Sequence, residues 1–407
     1  MKVVFFIGSA DISGGTYVIY QHALFAQEAG HDVTIATLYP FGAEQIRWHP
    51  AMHKLRFVPV EGLKDEHFDL ALATWWRTAA ELHCISADQY AYFIQSIESR
   101  FYPEAEAPLR ALVDSTYSLG LPVVTEATWI QEFLHAGYNT KPWLVRNGIR
   151  KDLYREDGPA EAERLRQGRL RVLVEGPLGI FFKNVGSSLR LARHSKADET
   201  WLLTSTELGR YPGVKRTYSR VPIDSVPPIY RSCDLILKLS YVEGMFGPPL
   251  EMFHCGGTAI VYDVTGHDEY IRHGENAIVL RRDDKRGVLE AINRLRDDPA
   301  ELERLKAGAR ATAGEWPDWH QSSEQFEKVL HGFMESPPVS RADVRERNAV
   351  FMADYVQAEN TRLANLPKES PGTLSRALNR LNRFKRVAAF RHWTSLVREG
   401  WGPERRG

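Results

Sequence analysis

The segment 242–257, which reads VEGMFGPPLEMFHCGG, constrains the fold more strongly than any other part of the chain. It lies between two apolar segments, 234–240 and 258–263, that are typical of buried β-strands. Proline is tolerated in the first turn of a helix but not in its interior, so Pro248 and Pro249 predict where a helix begins. The resulting order of strand, loop, helix and strand is the unit from which α/β sheets are built.

The predicted helix start is an anion site, because the backbone N–H groups around Phe246 and Gly247 have no partner inside the helix. Glu243 precedes this helix and Glu251 lies in its first turns. Eight helical steps rise about 12 Å, whereas a retaining hydrolase needs its two carboxylates about 5 Å apart. Two carboxylates flanking a phosphate site instead suit a nucleotide sugar. The alternative is that Glu251 stabilises the helix dipole and Glu243 is a solvated loop residue.

The string EGMFGPPLE at 243–251, followed by Gly256 and Gly257, resembles the E-x7-E signature of the retaining GT-B glycosyltransferases of family 4. The resemblance implies that Glu243 contacts the donor sugar and that Glu251 holds the ribose hydroxyls. It also implies that the N–H groups of Phe246 and Gly247 hold the diphosphate. The implied fold is α/β of the GT-B type, with two Rossmann-like doubly wound parallel-sheet domains facing a cleft and a helical C-terminal tail.

The first half of the chain alternates predicted strands with helices, which indicates a parallel sheet whose ligand site lies at the carboxyl ends of the strands. A strand at 3–7 is followed by Gly14 and Gly15 and then by a helix over about 16–29. The glycine pair does not match the dinucleotide fingerprint, and it fits either a phosphate-binding loop or a structural turn. It resembles the Gly-Gly loop in the N-terminal domain of the same family.

A second loop, QSIESRFYP at 95–103, resembles a Q-D-x-E-x-x-F-Y-P string of bacterial family 4 rhamnosyltransferases and related enzymes of surface polysaccharide synthesis. Gln95 stands where many members have a histidine close to the donor sugar, so the resemblance implies a catalytic position for Gln95. The alternative for Gln95 and Glu98 is helix capping and loop hydrogen bonding. Trp75 and Trp76 either stack on a sugar acceptor or pack between domains.

The second half begins with a predicted strand at 170–175, followed by Gly176 and a loop that ends at Lys183. An ammonium at the start of the next helix lies where a diphosphate would bind. The segment resembles the family's G-R-L-x-x-x-K-G string, with Pro177 at the position of the usual arginine. The resemblance implies that Lys183 neutralises the leaving diphosphate, helped by the Gly176 loop; the alternative is a solvent-exposed lysine.

Whole-chain features set the remaining expectations. The formal net charge is zero, so composition offers no argument for nucleic acid. We expect no metal, because no Asp-x-Asp string is present, and no cofactor beyond the nucleotide sugar. The lack of a signal-peptide pattern or a long apolar stretch favours a cytoplasmic protein. The segment 371–407 has nine basic residues against two acidic ones and an apolar stripe. It suits either an anionic membrane surface, at the inner face of the membrane, or docking onto the first domain.

These observations predict three parts: an acceptor domain at 1–150, a donor domain at 151–335, and a helical basic tail at 336–407. The predicted reaction moves a hexose or deoxyhexose from a nucleoside diphosphate sugar to a hydroxyl of a glycan or lipid-linked acceptor in cell-surface polysaccharide synthesis. The base of the donor (UDP, GDP or dTDP) stays open. The alternative is a catalytically impaired protein that binds sugars or acts as a scaffold, which the residues at Pro177 and Gln95 motivate.

Overall fold

The computed structural model describes residues 1–138 and 140–366 and contains two parallel β-sheets. The first sheet has seven strands in the order β3-β2-β1-β4-β5-β6-β7. These are β1 (Lys2–Ile7), β2 (Asp32–Thr37), β3 (Arg56–Pro59), β4 (His67–Ala73), β5 (Ser86–Ile94), β6 (Val123–Thr125) and β7 (Trp143–Leu144). The helices of this part are α1 (Gly14–Glu28), α2 (Ala43–Ile46), α3 (Trp76–Ala80), α4 (Ala107–Ser115) and α5 (Thr128–Tyr138).

The second sheet has six strands in the order β10-β9-β8-β11-β12-β13. These are β8 (Arg171–Glu175), β9 (Glu199–Thr204), β10 (Arg216–Ser219), β11 (Leu235–Lys238), β12 (Thr258–Tyr262) and β13 (Ile278–Leu280). Its helices are α6 (Val185–His194), α7 (Val226–Arg231), α8 (Gly247–His254), α9 (Lys285–Asp297) and α10 (Pro299–Glu315). The predicted strand, loop, helix and strand around the two prolines are therefore β11, α8 and β12.

Both sheets reverse their strand order at one point, between β1 and β4 in the first and between β8 and β11 in the second. Ligands of doubly wound sheets bind in the crevice at the carboxyl ends of the strands at such a reversal. The loops that leave these ends carry Gly14 and Gly15 after β1, Gly176 after β8 and Glu243 after β11. The predicted fold class, two doubly wound parallel sheets with a helical C-terminus, is confirmed.

Both faces of the sheets are covered, which explains why inner strands such as β1 and β12 are buried along almost their whole length rather than at alternate residues. All five residues of β12 are buried, and so are residues 3–7 of β1. Helix α1 begins after Ser13, whose side chain accepts a hydrogen bond from the Thr16 N–H. The glycine pair thus opens a capped helix directly behind a buried strand.

After α10 the chain crosses back to the first sheet. Ile149 and Asp318 form a bridge between the outgoing and the returning segment, and the Ile149 N–H donates to the Pro317 carbonyl at 3.1 Å. Helix α11 (Trp319–Glu335) then buries Phe326 and Leu330 in the core of the first sheet. The division at 150 and 335 remains a prediction, although the side chains of α11 belong to the first core.

Helix α12 (Arg341–Ala364) continues on the first sheet, where Val344 is fully buried and Asn348 Nδ2 donates to the Ala79 carbonyl at 3.1 Å. The start of the predicted tail, within 341–364, therefore packs on the first domain. The segment 371–407, for which membrane binding and docking were the alternatives, lies outside the described residues. None of the helices within 1–138 and 140–366 combines the length and apolar character needed to cross a membrane.

Candidate active site

Lys183 and Glu243, which are 60 positions apart in sequence, form an ion pair with 2.7 Å between Lys183 Nζ and Glu243 Oε2. Lys183 ends a short 3-10 turn, and Asn184 follows with a left-handed backbone at φ 51°. The Asn184 side chain donates to the Leu239 carbonyl at 3.0 Å and ties this loop to the end of β11. The two loops at the strand reversal of the second sheet therefore present a cation and a carboxylate side by side.

Glu243 is buried, with 6% of its surface exposed. Burial raises the pKa of its carboxyl, but the charges of Lys183 and Lys238 outweigh this effect and leave the pKa below its ordinary value. Glu243 is thus a carboxylate at neutral pH. Its Oε1 atom accepts no hydrogen bond from any described residue. A buried carboxylate oxygen that accepts no hydrogen bond suits a ligand hydroxyl, because hydrogen bonding would offset the cost of its burial.

Lys238, the last residue of β11, is a member of this cluster that the sequence reading missed. Its Nζ lies 2.5 Å from Glu175 Oε2 and 3.9 Å from Glu243 Oε1, and the side chain is almost fully buried. Gly176 leaves space for the Lys238 side chain. It has φ +138°, and a Cβ at this position would lie 2.9 Å from Val185 Cγ2 and 3.8 Å from Lys238 Nζ. The available signal was a lysine on an otherwise apolar, central strand, which requires a buried partner.

Glu251 lies on α8 and faces the same interior as Glu175. Burial raises the pKa of the Glu251 carboxyl to about 7, and the Glu175 charge adds to the rise. The hydroxyls of Tyr230 and Tyr154 and the charge of Lys238 act in the opposite direction. Glu251 is therefore close to half-protonated at neutral pH before any ligand arrives.

The start of helix α8 differs from the prediction at the backbone nitrogen of Gly247. The Gly247 N–H donates to the Met245 carbonyl at 3.0 Å, because the chain makes a tight turn just before the two prolines. The prediction of a free N–H at Gly247 is therefore wrong for this structure. The Phe246 N–H has no hydrogen-bond partner within the described part of the chain, while its buried side chain packs in the second core. The diphosphate role of these two residues stays a prediction.

On the first sheet, Gln95 lies against the glycine pair. A Cβ on Gly15 would lie 3.3 Å from Gln95 Oε1 and 3.4 Å from Gln95 Nε2, whereas a Cβ on Gly14 would meet open space. The carbonyl of Gln95 faces the second sheet, since a Cβ on Gly244 would lie 2.0 Å from it. The structure thus brings Gln95 and Gly15 together and places both beside the loop that carries Glu243.

Glu126, the residue directly after β6, is a second residue that the sequence analysis missed. Its Oε1 accepts from the Met245 N–H at 3.0 Å, and its Oε2 accepts from Asn147 Nδ2 at 2.8 Å. Burial raises the pKa of this carboxyl to about 7. The Trp129 indole N–H also donates to the Gly244 carbonyl at 3.0 Å. The first sheet therefore holds the backbone of residues 244 and 245 directly after Glu243.

Trp76 packs inside the first half of the chain, so neither sugar stacking nor the predicted packing between domains describes this side chain. Trp76 is buried, its N–H donates to Glu98 Oε2 at 2.7 Å and its indole donates to Tyr102 at 3.0 Å. Glu98 is equally buried, and burial raises the pKa of its carboxyl to about 8. Glu98 thus orders this loop by hydrogen bonding, which is the alternative role given for Glu98 in the sequence analysis. Trp75 covers Gly8, where a Cβ would lie 2.7 Å from its ring.

Two doubly wound parallel sheets, whose strand reversals meet across an interface carrying a lysine and glutamate cluster, define a GT-B protein. Residues 216–312 match the family described as Glycosyl transferases group 1. The resemblance to the family 4 glycosyltransferases that was inferred from the sequence is thereby confirmed.

Three known proteins illustrate the similarity. The O-antigen biosynthesis protein RfbC of Myxococcus xanthus is 25% identical over 290 residues, which cover 69% of this chain and 22% of that protein. The chain thus matches about a fifth of this relative. Anabaena Alr3699/HepE in complex with UDP and glucose has a TM-score of 0.67 and 17% identity, covering 82% of this chain and 100% of that one. WaaG, a glycosyltransferase involved in lipopolysaccharide biosynthesis, has a TM-score of 0.62 and 14% identity, covering 81% and 100%.

Gly244 offers a test of the contact between the sheets. Alanine there would place a Cβ 2.0 Å from the Gln95 carbonyl, closer than any real contact. We expect Gly244→Ala to force the two halves apart and to lower turnover more than tenfold, since misplacement by about 1 Å costs about 10² in rate. Small-angle scattering of the variant should give a larger radius of gyration. Gly209→Ala, which meets open space in the same half, is the control; equal activity of both variants would contradict the expectation.

Proposed function

We propose that the chain transfers a hexose or deoxyhexose, with retention at the anomeric carbon, from a nucleoside diphosphate sugar to a hydroxyl of a glycan or lipid-linked acceptor. The observation that carries the proposal is the Lys183–Glu243 pair at the strand reversal of the second sheet, with Lys238 behind it. This arrangement offers positive charge to a diphosphate, and it offers a sugar hydroxyl a carboxylate oxygen that accepts no hydrogen bond. The assignment of surface polysaccharide as the product rests on the resemblance to RfbC and WaaG.

Transfer requires the sugar–phosphate bond to break and a bond from the acceptor oxygen to the anomeric carbon to form. The proton of the acceptor hydroxyl passes to an oxygen of the leaving diphosphate, so no protein nucleophile is needed. Lys183 would leave Glu243 to meet the phosphate, where its charge stabilises the negative charge that develops on the leaving group. Lys238 would keep Glu243 ionised during this exchange, because its charge already lowers the pKa of that carboxyl.

Glu243 and Glu251 would hold the two ends of the donor. Glu243 Oε1 would accept from a sugar hydroxyl, and Glu251, on α8, would accept from the ribose hydroxyls. Gln95, beside Gly15 on the first sheet, would contact the sugar from the other side. HepE has been crystallised with UDP and glucose and with UDP-glucose, which supports a nucleoside diphosphate sugar as the ligand class.

Turnover of a panel of labelled UDP-, GDP- and dTDP-sugars, followed by mass spectrometry, tests the proposal. Wild-type protein should consume one donor and form a glycoside with retained anomeric configuration. Glu243→Gln should lower that rate by about 10²-fold or more. Donor binding without turnover on any acceptor, including water, would instead support the sugar-binding or scaffolding alternative.

Glu251 predicts the pH dependence of donor binding. Its pKa is raised to about 7 in the ligand-free protein, so the fraction of carboxylate that can accept from ribose rises from about a tenth at pH 6 to about nine tenths at pH 8. We expect the affinity for nucleoside diphosphate to rise by up to about tenfold between pH 6 and pH 8, measured by calorimetry. Glu251→Gln should bind more weakly at pH 8 and lose this pH dependence. A wild-type profile in the variant would contradict the ribose assignment.

The segment 371–407 stays a proposed membrane contact. Its nine basic and two acidic residues suit an anionic leaflet, where each basic side chain contributes about 1 kcal/mol. Full-length protein should then co-sediment with anionic liposomes at low salt, and protein lacking 371–407 should not. If the full-length protein does not co-sediment with such liposomes, the result would instead favour docking of the segment on the first domain.

A further inference from the structure

A cluster of two histidines and one glutamate lies away from the cleft, where α11 returns to the first sheet. Candidate ligand atoms of His31, Glu327 and His331 all lie within 4.8 Å of one another. His31 precedes β2, so the cluster is at the amino end of that strand, whereas the cleft is at the carboxyl ends. The cluster therefore has no part in the proposed transfer reaction.

The chain holds the three side chains in place from both sides. Glu327 and His331 are four residues apart on α11 and share one helical face, with His331 Nε2 3.3 Å from Glu327 Oε1. His31 follows Gly30, whose φ of +95° makes the tight turn between α1 and β2. The Met1 nitrogen lies 3.1 Å from His31 Nδ1, and His31 Nε2 contacts Glu327 Oε1. The Met1 contact orients the His31 ring through Nδ1, while Nε2 points into the cluster.

The Glu327 carboxylate can accept a further ligand. Glu327 Oε2 is buried and accepts no hydrogen bond within the described chain. His31 is nearly buried, with 7% of its side chain exposed, and His331 is 59% exposed. A small ion can therefore enter from the His331 side, and water can complete its coordination. Two imidazoles and one carboxylate are a ligand set that suits zinc.

We propose that His31, Glu327 and His331 bind one divalent transition-metal ion of the Zn²⁺ type and thereby fasten helix α11 to the first sheet. Zinc bonds of about 2.0–2.2 Å in tetrahedral geometry separate ligand atoms by roughly 3.3 Å. The Glu327–His331 pair already has this separation. The His31–Glu327 pair is closer and would have to part, which releases the proton between these two atoms. The Met1 ammonium would pass a proton to His31 Nδ1, so that the metal-bound imidazole stays neutral.

Zinc titration of the full chain, freed of metal by a chelator, tests the proposal. We expect one zinc ion per chain by elemental mass spectrometry and a melting temperature that rises with zinc, because an ion that binds the folded state stabilises it. His331→Gln should bind zinc at least tenfold more weakly and lose the thermal shift. This side chain is exposed, so the variant should fold.

His320→Gln is the matched control, because His320 is an exposed histidine on the same helix that also lies four residues from a glutamate, Glu324. It should retain wild-type zinc affinity and the wild-type thermal shift. Zinc retention by His331→Gln equal to that of wild type would overturn the proposal, and so would wild-type protein that holds no zinc. Transferase assays with and without chelator should agree, which separates this site from the proposed function.

Discussion

Replacing Lys183 by alanine is expected to lower turnover by about 10²- to 10³-fold, because removal of one preorganised charge contact in a catalytic site has an effect of that size. The side chain is only partly buried, and its ion-pair partner Glu243 keeps Lys238 nearby, so the fold should survive. Steady-state rates with the donor identified in the panel measure the effect.

Lys183→Arg and Lys215→Ala are the two controls. Arginine retains the charge and should recover part of the lost rate, although its planar group cannot reproduce the position of an ammonium. Lys215 is an exposed lysine in the same half of the chain, and its removal should leave turnover unchanged. If Lys183→Ala turned over like wild type, the leaving diphosphate would have to be neutralised elsewhere.

Replacing Lys238 by methionine is expected to destabilise the protein by about 3–5 kcal/mol, the usual cost of removing one partner from a buried ion pair. The variant would leave the carboxylates of Glu175 and Glu243 without the cation that lies between them. The pKa of Glu243 should rise, because one of the charges that lowers it is gone. A lower urea midpoint and a large loss of turnover should therefore occur together.

A second substitution separates these two effects. Lys238→Met combined with Glu175→Gln removes the unpaired charge next to position 238, so the urea midpoint should recover in part. Turnover should remain low, since Glu243 still lacks its second cation. A single variant as stable as wild type would show that Lys238 is not the buried counter-charge described above.

Sequence patterns predicted the framework because the information is local. An apolar strand, or a helix boundary marked by glycine or proline, is encoded by a few consecutive residues. Helix α8 accordingly begins at the two prolines, as expected. Lys238 and Glu126 were missed because their roles depend on partners 63 and 119 positions away. The Gly247 N–H was misjudged for a related reason, since a tight turn before a helix leaves no distinctive pattern.

The return of the chain at Asp318 has a consequence for engineering. The two segments that connect the sheets run side by side, joined at Ile149 and Asp318, and a Cβ on Gly148 would lie 2.4 Å from the Asp318 backbone. The second sheet with α6 to α10 is therefore an internal cassette whose two ends touch, inserted into a first half that includes α11 and α12. If the second half binds the donor as proposed, an exchange of donor specificity between relatives should graft residues 151–315 as one insert, because a swap from 151 to the C-terminus would remove two helices from the recipient's first core.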